Sequence, residues 1–226
     1  MGRIVFDENL VDLAPVFKDR RDAGRKLGTF LKKLDLVPDL IFAIPAGGVP
    51  VALEACKTLR SKMDLIIVKK VLYPWTTEAG FGAVSSLDFE VADVGLPEEV
   101  VKRQIEAALE RVREREKLFR KGRPYPDLTG LKVCAIDDGI AAGYTMRVAV
   151  RSLKKLGAEE VWACAPTSSA SGAEAVAQVA DLVVILNLRT YYPFAVADAY
   201  ENWYDLSDEE VLELLGEAEA EGCLIN

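Results

Sequence analysis

Short, wholly apolar runs separated by amphipathic helical stretches leave this chain few folds to choose from. Leu40–Ile44, Asp64–Lys69, Lys132–Ile136, Val161–Ala165 and Leu182–Leu186 each have strand length. Most of their residues are apolar at both parities, as expected of strands covered on both faces. Between them, Arg20–Leu34 sets Ala23, Leu27, Phe30, Leu31 and Leu34 at helical spacing. Val49–Leu59 and Tyr144–Leu156 read as helices, and Pro97–Lys121 is a long charged helix striped by Val101, Ile105, Ala108, Leu109 and Val112. The expected fold is α/β, a mainly parallel sheet with helices on both faces. There is no internal repeat.

Two stretches break this rhythm. Tyr73–Gly82 lacks periodicity and holds Pro74, Gly80 and Gly82, which predicts a mobile loop. Near the end, Tyr191, Tyr192, Phe194, Tyr200, Trp203 and Tyr204 crowd together before a final helix. That helix opens with Ser207 as N-cap and Glu210 three residues on, a capping box, with Leu206 and Val211 placed as a staple. Residues 1–186 are expected to form the core, and residues 187–226 a small C-terminal aromatic hood with its capping helix.

Composition narrows the chemistry. The chain has no histidine, which removes histidine-based nucleophile activation, histidine metal ligands and a histidine general base together. A net charge of -8 disfavours broad contact with nucleic acid or an anionic membrane. Cys56, Cys134, Cys164 and Cys223 lie far apart without a C-x-x-C pair, and Cys134 and Cys164 fall in apolar runs that suit buried thiols. With no apolar run near membrane-spanning length and no leader-like N-terminus, a cytoplasmic protein is expected.

The sharpest feature is Val133–Thr145 (VCAIDDGIAAGYT), an apolar strand ending in two adjacent carboxylates, followed by a small-residue loop that opens a helix. In open α/β sheets, ligands bind beyond the carboxyl ends of the strands. The slim loop Ala141, Ala142, Gly143, Tyr144 and Thr145 lets backbone N–H groups converge on a phosphate at a helix start. Asp137 and Asp138 suit the hydroxyls of a ribose diol or hydrated Mg²⁺.

Taken whole, this run resembles the signature with which type I phosphoribosyltransferases bind 5-phosphoribosyl-1-pyrophosphate (PRPP). Phe17–Gly24, Ile44–Ala52, Lys69–Lys70, Glu78–Ala83 and Trp203–Val211 extend the resemblance to one poorly characterised group of that family. The resemblance implies that Asp137 and Asp138 are catalytic and that Ala141–Thr145 hold the 5-phosphate. It implies that Ala46, Gly47 and Gly48, with Lys69 or Lys70, meet the pyrophosphate, often through a non-proline cis peptide. Gly47 and Gly48 also read as a plain strand-to-helix turn. Mg²⁺ is the implied cofactor, reaching the site through PRPP and water near Asp137 and Asp138 with no direct protein ligand. Tyr73–Gly82 matches the loop that closes over PRPP.

Three positions depart from the pattern. Ala46 stands where the group usually has arginine, removing a cationic pyrophosphate contact. Ala142 replaces a common threonine. Ala141 lacks the carboxylate that 6-oxopurine enzymes place there, which argues against hypoxanthine or guanine as acceptor. The expected partners are PRPP and a small-molecule acceptor, with no nucleic acid and no membrane, and a homodimer is compatible with the chain. The expected activity moves ribose 5-phosphate onto an acceptor, a nucleobase by family resemblance, with release of pyrophosphate. A non-catalytic PRPP or nucleotide sensor of the same fold is the alternative. Gly80–Ser85 fails as a dinucleotide fingerprint, and no P-loop run exists.

Overall fold

The computed structural model describes residues 1–225. Along the chain, β1 (Arg3–Phe6) is followed by α1 (Arg20–Lys33), β2 (Leu40–Ala43), α2 (Gly48–Leu59) and β3 (Lys62–Leu65). Then come β4 (Lys69–Leu72), β5 (Gly80–Val84), β6 (Phe89–Val91), α3 (Glu98–Arg120) and β7 (Lys132–Ile136). The remainder is α4 (Tyr144–Lys155), β8 (Glu160–Ser169), α5 (Ala170–Ala177), β9 (Leu182–Arg189) and α6 (Asp208–Ala220).

Six strands form one sheet in the order β1-β9-β8-β7-β2-β3, with every pairing parallel. Alternation along each strand divides the core. Ile41, Ala43, Cys134, Ile136, Cys164 and Val184 pack on the side of α1 and α2. Phe42, Ile44, Val133, Ala135, Val183 and Ile185 pack beneath α4 and α5. Helices therefore cover both faces, as the wholly apolar runs require.

Strand order reverses between β2 and β7: from β2 the chain passes outward to β3, and from β7 the other way to β8 and β9. The crevice at such a reversal lies between the loops leaving the two strands, where open α/β sheets bind ligands.

The strand read at Asp64–Lys69 is divided. Lys62–Leu65 belongs to the parallel sheet, whereas Lys69–Leu72 opens a separate antiparallel sheet, β4-β5-β6. Of the Tyr73–Gly82 loop, only Tyr73–Ala79 forms the hairpin tip, and Gly80–Gly82 lie in β5. Short strands holding glycine give no periodicity to read. β1 escaped the sequence reading. β9 runs on to Arg189, across the 186/187 boundary at which the hood was expected to begin. The α6 capping box forms as read: Ser207 Oγ accepts from Glu210 N–H, and Glu210 accepts from Ser207 N–H.

Candidate active site

The loops leaving β2 and β7 meet at the reversal. A Cβ added to Gly47 would run into the Asp138 carboxylate, which Arg20 holds, so a side chain at position 47 would displace that pair. The Pro45–Ala46 peptide is cis. Gly48 and Val49 donate their N–H groups to Ile44 O (3.0 Å) and Ala46 O (3.1 Å). Among the described residues the amides of Ala46 and Gly47 have no main-chain acceptor, leaving them for a ligand.

After β7, Asp137 accepts the Asp138 N–H at 2.8 Å. Burial first, and the Asp138 charge second, push the Asp137 carboxyl well above the usual carboxylate range, while the positive charge of Lys70 acts in the opposite direction. Asp138 is held more tightly. Its Oδ2 accepts from Arg20 Nε at 2.8 Å, and both side chains are largely shielded from solvent. Arg20 also donates to Tyr204 O at 2.8 Å and lies 3.9 Å from the Trp203 ring centroid. The Tyr200 hydroxyl donates to Asp138 O at 2.6 Å. Burial keeps that phenol protonated, with its pKa well above the ordinary value.

Past the carboxylates, Ala141 and Ala142 are exposed and Gly143 adopts φ 83° as N-cap of α4, a left-handed conformation that favours glycine. The first α4 amide with a main-chain acceptor is Arg147, bonded to Gly143 O at 2.9 Å. Among the described residues, Ala141, Ala142, Gly143, Tyr144 and Thr145 therefore present a run of N–H groups without a main-chain acceptor at a helix N-terminus, an arrangement suited to an anion.

The two lysines part company. Lys70 bears electrostatically on Asp137. Lys69 lies among Arg115, Arg111 and Asp208, and burial followed by the neighbouring cations lowers its pKa to about 8. The structure thus brings Ala46–Gly48, Asp137, Asp138 and Ala141–Thr145 to one crevice, whereas Lys69 lies beside α3 and Lys70 lines a groove with Gln104, Ala107 and Arg111 of that helix. Arg20 was missed as a partner of Asp138. It sits in the Phe17–Gly24 segment, but 118 positions of sequence separate the two residues.

A parallel α/β sheet with paired carboxylates and a helix N-terminus at its strand-order reversal has the layout in which open α/β proteins bind ligands. The phosphoribosyl transferase domain model matches residues 18–188, so this chain belongs to the phosphoribosyltransferase family. Rv0571c of Mycobacterium tuberculosis H37Rv, provisionally named as a phosphoribosyl transferase, is 34% identical over 213 residues. The match covers 90% of this chain and 47% of the relative, so the chain spans about half the length of the curated relatives it matches. The crystal structure of TT1426 from Thermus thermophilus is 29% identical with a TM-score of 0.72, covering 89% of this chain and 98% of that one.

Proposed function

We propose that the chain binds Mg²⁺–PRPP and transfers its ribose 5-phosphate to a nitrogen of a nucleobase acceptor, releasing pyrophosphate. The observation that carries this reading is the close approach of Gly47 to Asp138, which sets a pyrophosphate loop beside a ribose grip. In this reading the amides of Ala141–Thr145 take the 5-phosphate. Ala46, Gly47 and Lys70 face the pyrophosphate, Asp137 and Asp138 face the ribose, and residues 187–226 form the hood.

The donor set fits a hydrated cation carried by the ligand. Among the described residues no group of three acidic or cysteine side chains could cage a metal, and Arg20 already engages Asp138. Burial first and the Asp138 charge second disfavour the ionised form of Asp137, and a cation brought by the ligand would favour it. When bound, Mg²⁺ screens the charge gathering on the pyrophosphate. As the bond from ribose C1 to pyrophosphate oxygen breaks, its electron pair leaves with the pyrophosphate, toward Lys70 and the free amides. Positive charge grows on the ribose, where Asp137 and Asp138 oppose it. The acceptor nitrogen then bonds to C1 from the other face and gives up its proton to water or to the departing pyrophosphate.

The sensor reading has its own support. Ala46 supplies no cation, and Arg20 occupies one oxygen of Asp138. The deciding experiment measures pyrophosphate release from Mg²⁺–PRPP with adenine, orotate, uracil, xanthine and simple amines. Release with one acceptor is expected, and Asp138→Asn should lower turnover on the order of 10²-fold. PRPP binding without release by any acceptor favours the sensor.

A further inference from the structure

Arg189 ends β9 at the carboxyl edge of the sheet, the edge that carries the Asp137–Thr145 loop. It is 3% exposed, yet among the described residues its Nε and Nη1 have no hydrogen-bond partner. These two nitrogens carry three N–H donors. Its side chain makes one hydrogen bond: Nη2 donates to the Tyr191 hydroxyl at 2.6 Å. Asp12, whose carboxyl feels the Arg189 charge, has both oxygens engaged by Thr190 at 2.6 Å.

Slack packing does not explain this. Asn187, two residues earlier on the same strand, accepts from Thr167 Oγ1 and donates to Leu10 O and Leu13 O. The chain satisfies that amide fully and leaves the next side chain on that face with two nitrogens unpartnered among the described residues, beside the Tyr191 ring at 4.7 Å. A buried cation whose neighbouring carboxylate, Asp12, is already engaged by Thr190 destabilises a ligand-free fold, and a bound anion would relieve it.

The register places Arg189 opposite Ser169. Neighbouring strands lie about 4.8 Å apart, with paired residues facing the same side. Ser169 Oγ donates to Ala141 O at 2.7 Å, so Arg189 stands one strand from the outer side of the phosphate loop. In the order β9-β8-β7-β2 it lies across β8 and β7 from the pyrophosphate loop. Beyond Arg189 the hood returns to the ribose grip, where Val196 fills the space a side chain at Gly139 would need.

We propose that Arg189 receives an anionic oxygen of the bound ligand, from an acid group on the acceptor or from the 5-phosphate, and that the Tyr191 hydroxyl holds its place in the free protein. This rests on the phosphoribosyl reading of the site. The test compares wild type with Arg189→Met, which keeps the bulk and removes the charge. Calorimetry with ribose 5-phosphate reports the phosphate source. Orotate against uracil, on protein saturated with ribose 5-phosphate, reports the acceptor source, because the two rings differ by a carboxylate.

The melting temperature of the ligand-free Arg189→Met variant should equal or exceed that of wild type. Affinity should fall at least roughly tenfold, the scale of a charge-assisted contact, in one arm. A loss for ribose 5-phosphate assigns the phosphate, and a loss for orotate alone assigns the acceptor. Unchanged affinities in both arms, a lower melting temperature, failure to fold, or a wild type that binds neither probe would overturn the inference. A wild type that binds these probes but neither binds nor cleaves Mg²⁺–PRPP would instead count against the proposed function and leave the role of Arg189 standing.

Discussion

Asp137 and Asp138 are adjacent carboxylates with different surroundings, and a single arginine accounts for much of the difference. Arg20 pairs with Asp138, whereas Asp137 is left with its pKa raised, through burial first and its neighbour second. That asymmetry has a pH signature. In the unfolded chain the Asp137 carboxyl ionises near its ordinary 3.8, and in the fold only well above it. Between those values the folded state binds the extra proton, so this group's contribution to stability falls as pH rises from about 4. Asp137→Asn should therefore melt higher than wild type at neutral pH, with the difference vanishing below the ordinary carboxylate pKa. Melting curves across that range check the sign. A variant less stable than wild type at neutral pH would mean that Asp137 is compensated in the free protein.

Elements are positioned by contacts that the local pattern does not show. Where the predicted strand divides, Arg120 at the end of α3 pairs with Asp64 of β3 and donates to Leu65 O. Its guanidinium carbon lies 4.0 Å from the Tyr125 ring centroid, and Ile67 N–H donates to the Tyr125 hydroxyl. This buried cluster fixes the passage from β3 to β4. Removing one partner strands the other, so Asp64→Ala should cost about 3–5 kcal/mol in denaturant unfolding. A cost well below this would show that solvent reaches the pair. At the other end of the chain, Glu217 of α6 accepts from Arg21 of α1 and Lys57 of α2, which lowers its pKa to about 2. That network is partly exposed and contributes less through each bond.

Across the whole molecule, the small antiparallel sheet joins the two halves of the crevice. The charge of Lys70 on β4 bears on Asp137, while Glu90 of β6 pairs with Arg147 and Arg151 on α4, the helix that follows the Asp137–Gly143 loop. Its root is thus clamped, and its tip is not. Trp75, 72% exposed, stacks on Tyr73 at 5.2 Å between centroids. If the tip closes over PRPP and excludes water, Trp75 emission should shift to the blue on adding Mg²⁺–PRPP, read with Trp162 and Trp203 replaced by phenylalanine. An unchanged spectrum at saturating ligand would remove the tip from the closure.

The sequence alone carried the parallel sheet, both helix layers, the capping box of α6 and the carboxylate–small-residue loop of Asp137–Thr145. Each of these is a local pattern: strand periodicity, helix periodicity, a cap at fixed offset, or a run at a strand end. Tertiary structure decided the rest. Division of the Asp64–Lys69 run depends on which sheet each half pairs with, and β1 gains its strand character from β9, far along the chain. The burial of Lys69 beside Arg111 and Arg115 depended on where α3 packs. The Arg20–Asp138 pair and the unpaired guanidinium of Arg189 arise where distant segments fold together. Burial and charge compensation are sums over spatial neighbours, and no spacing along the chain encodes them.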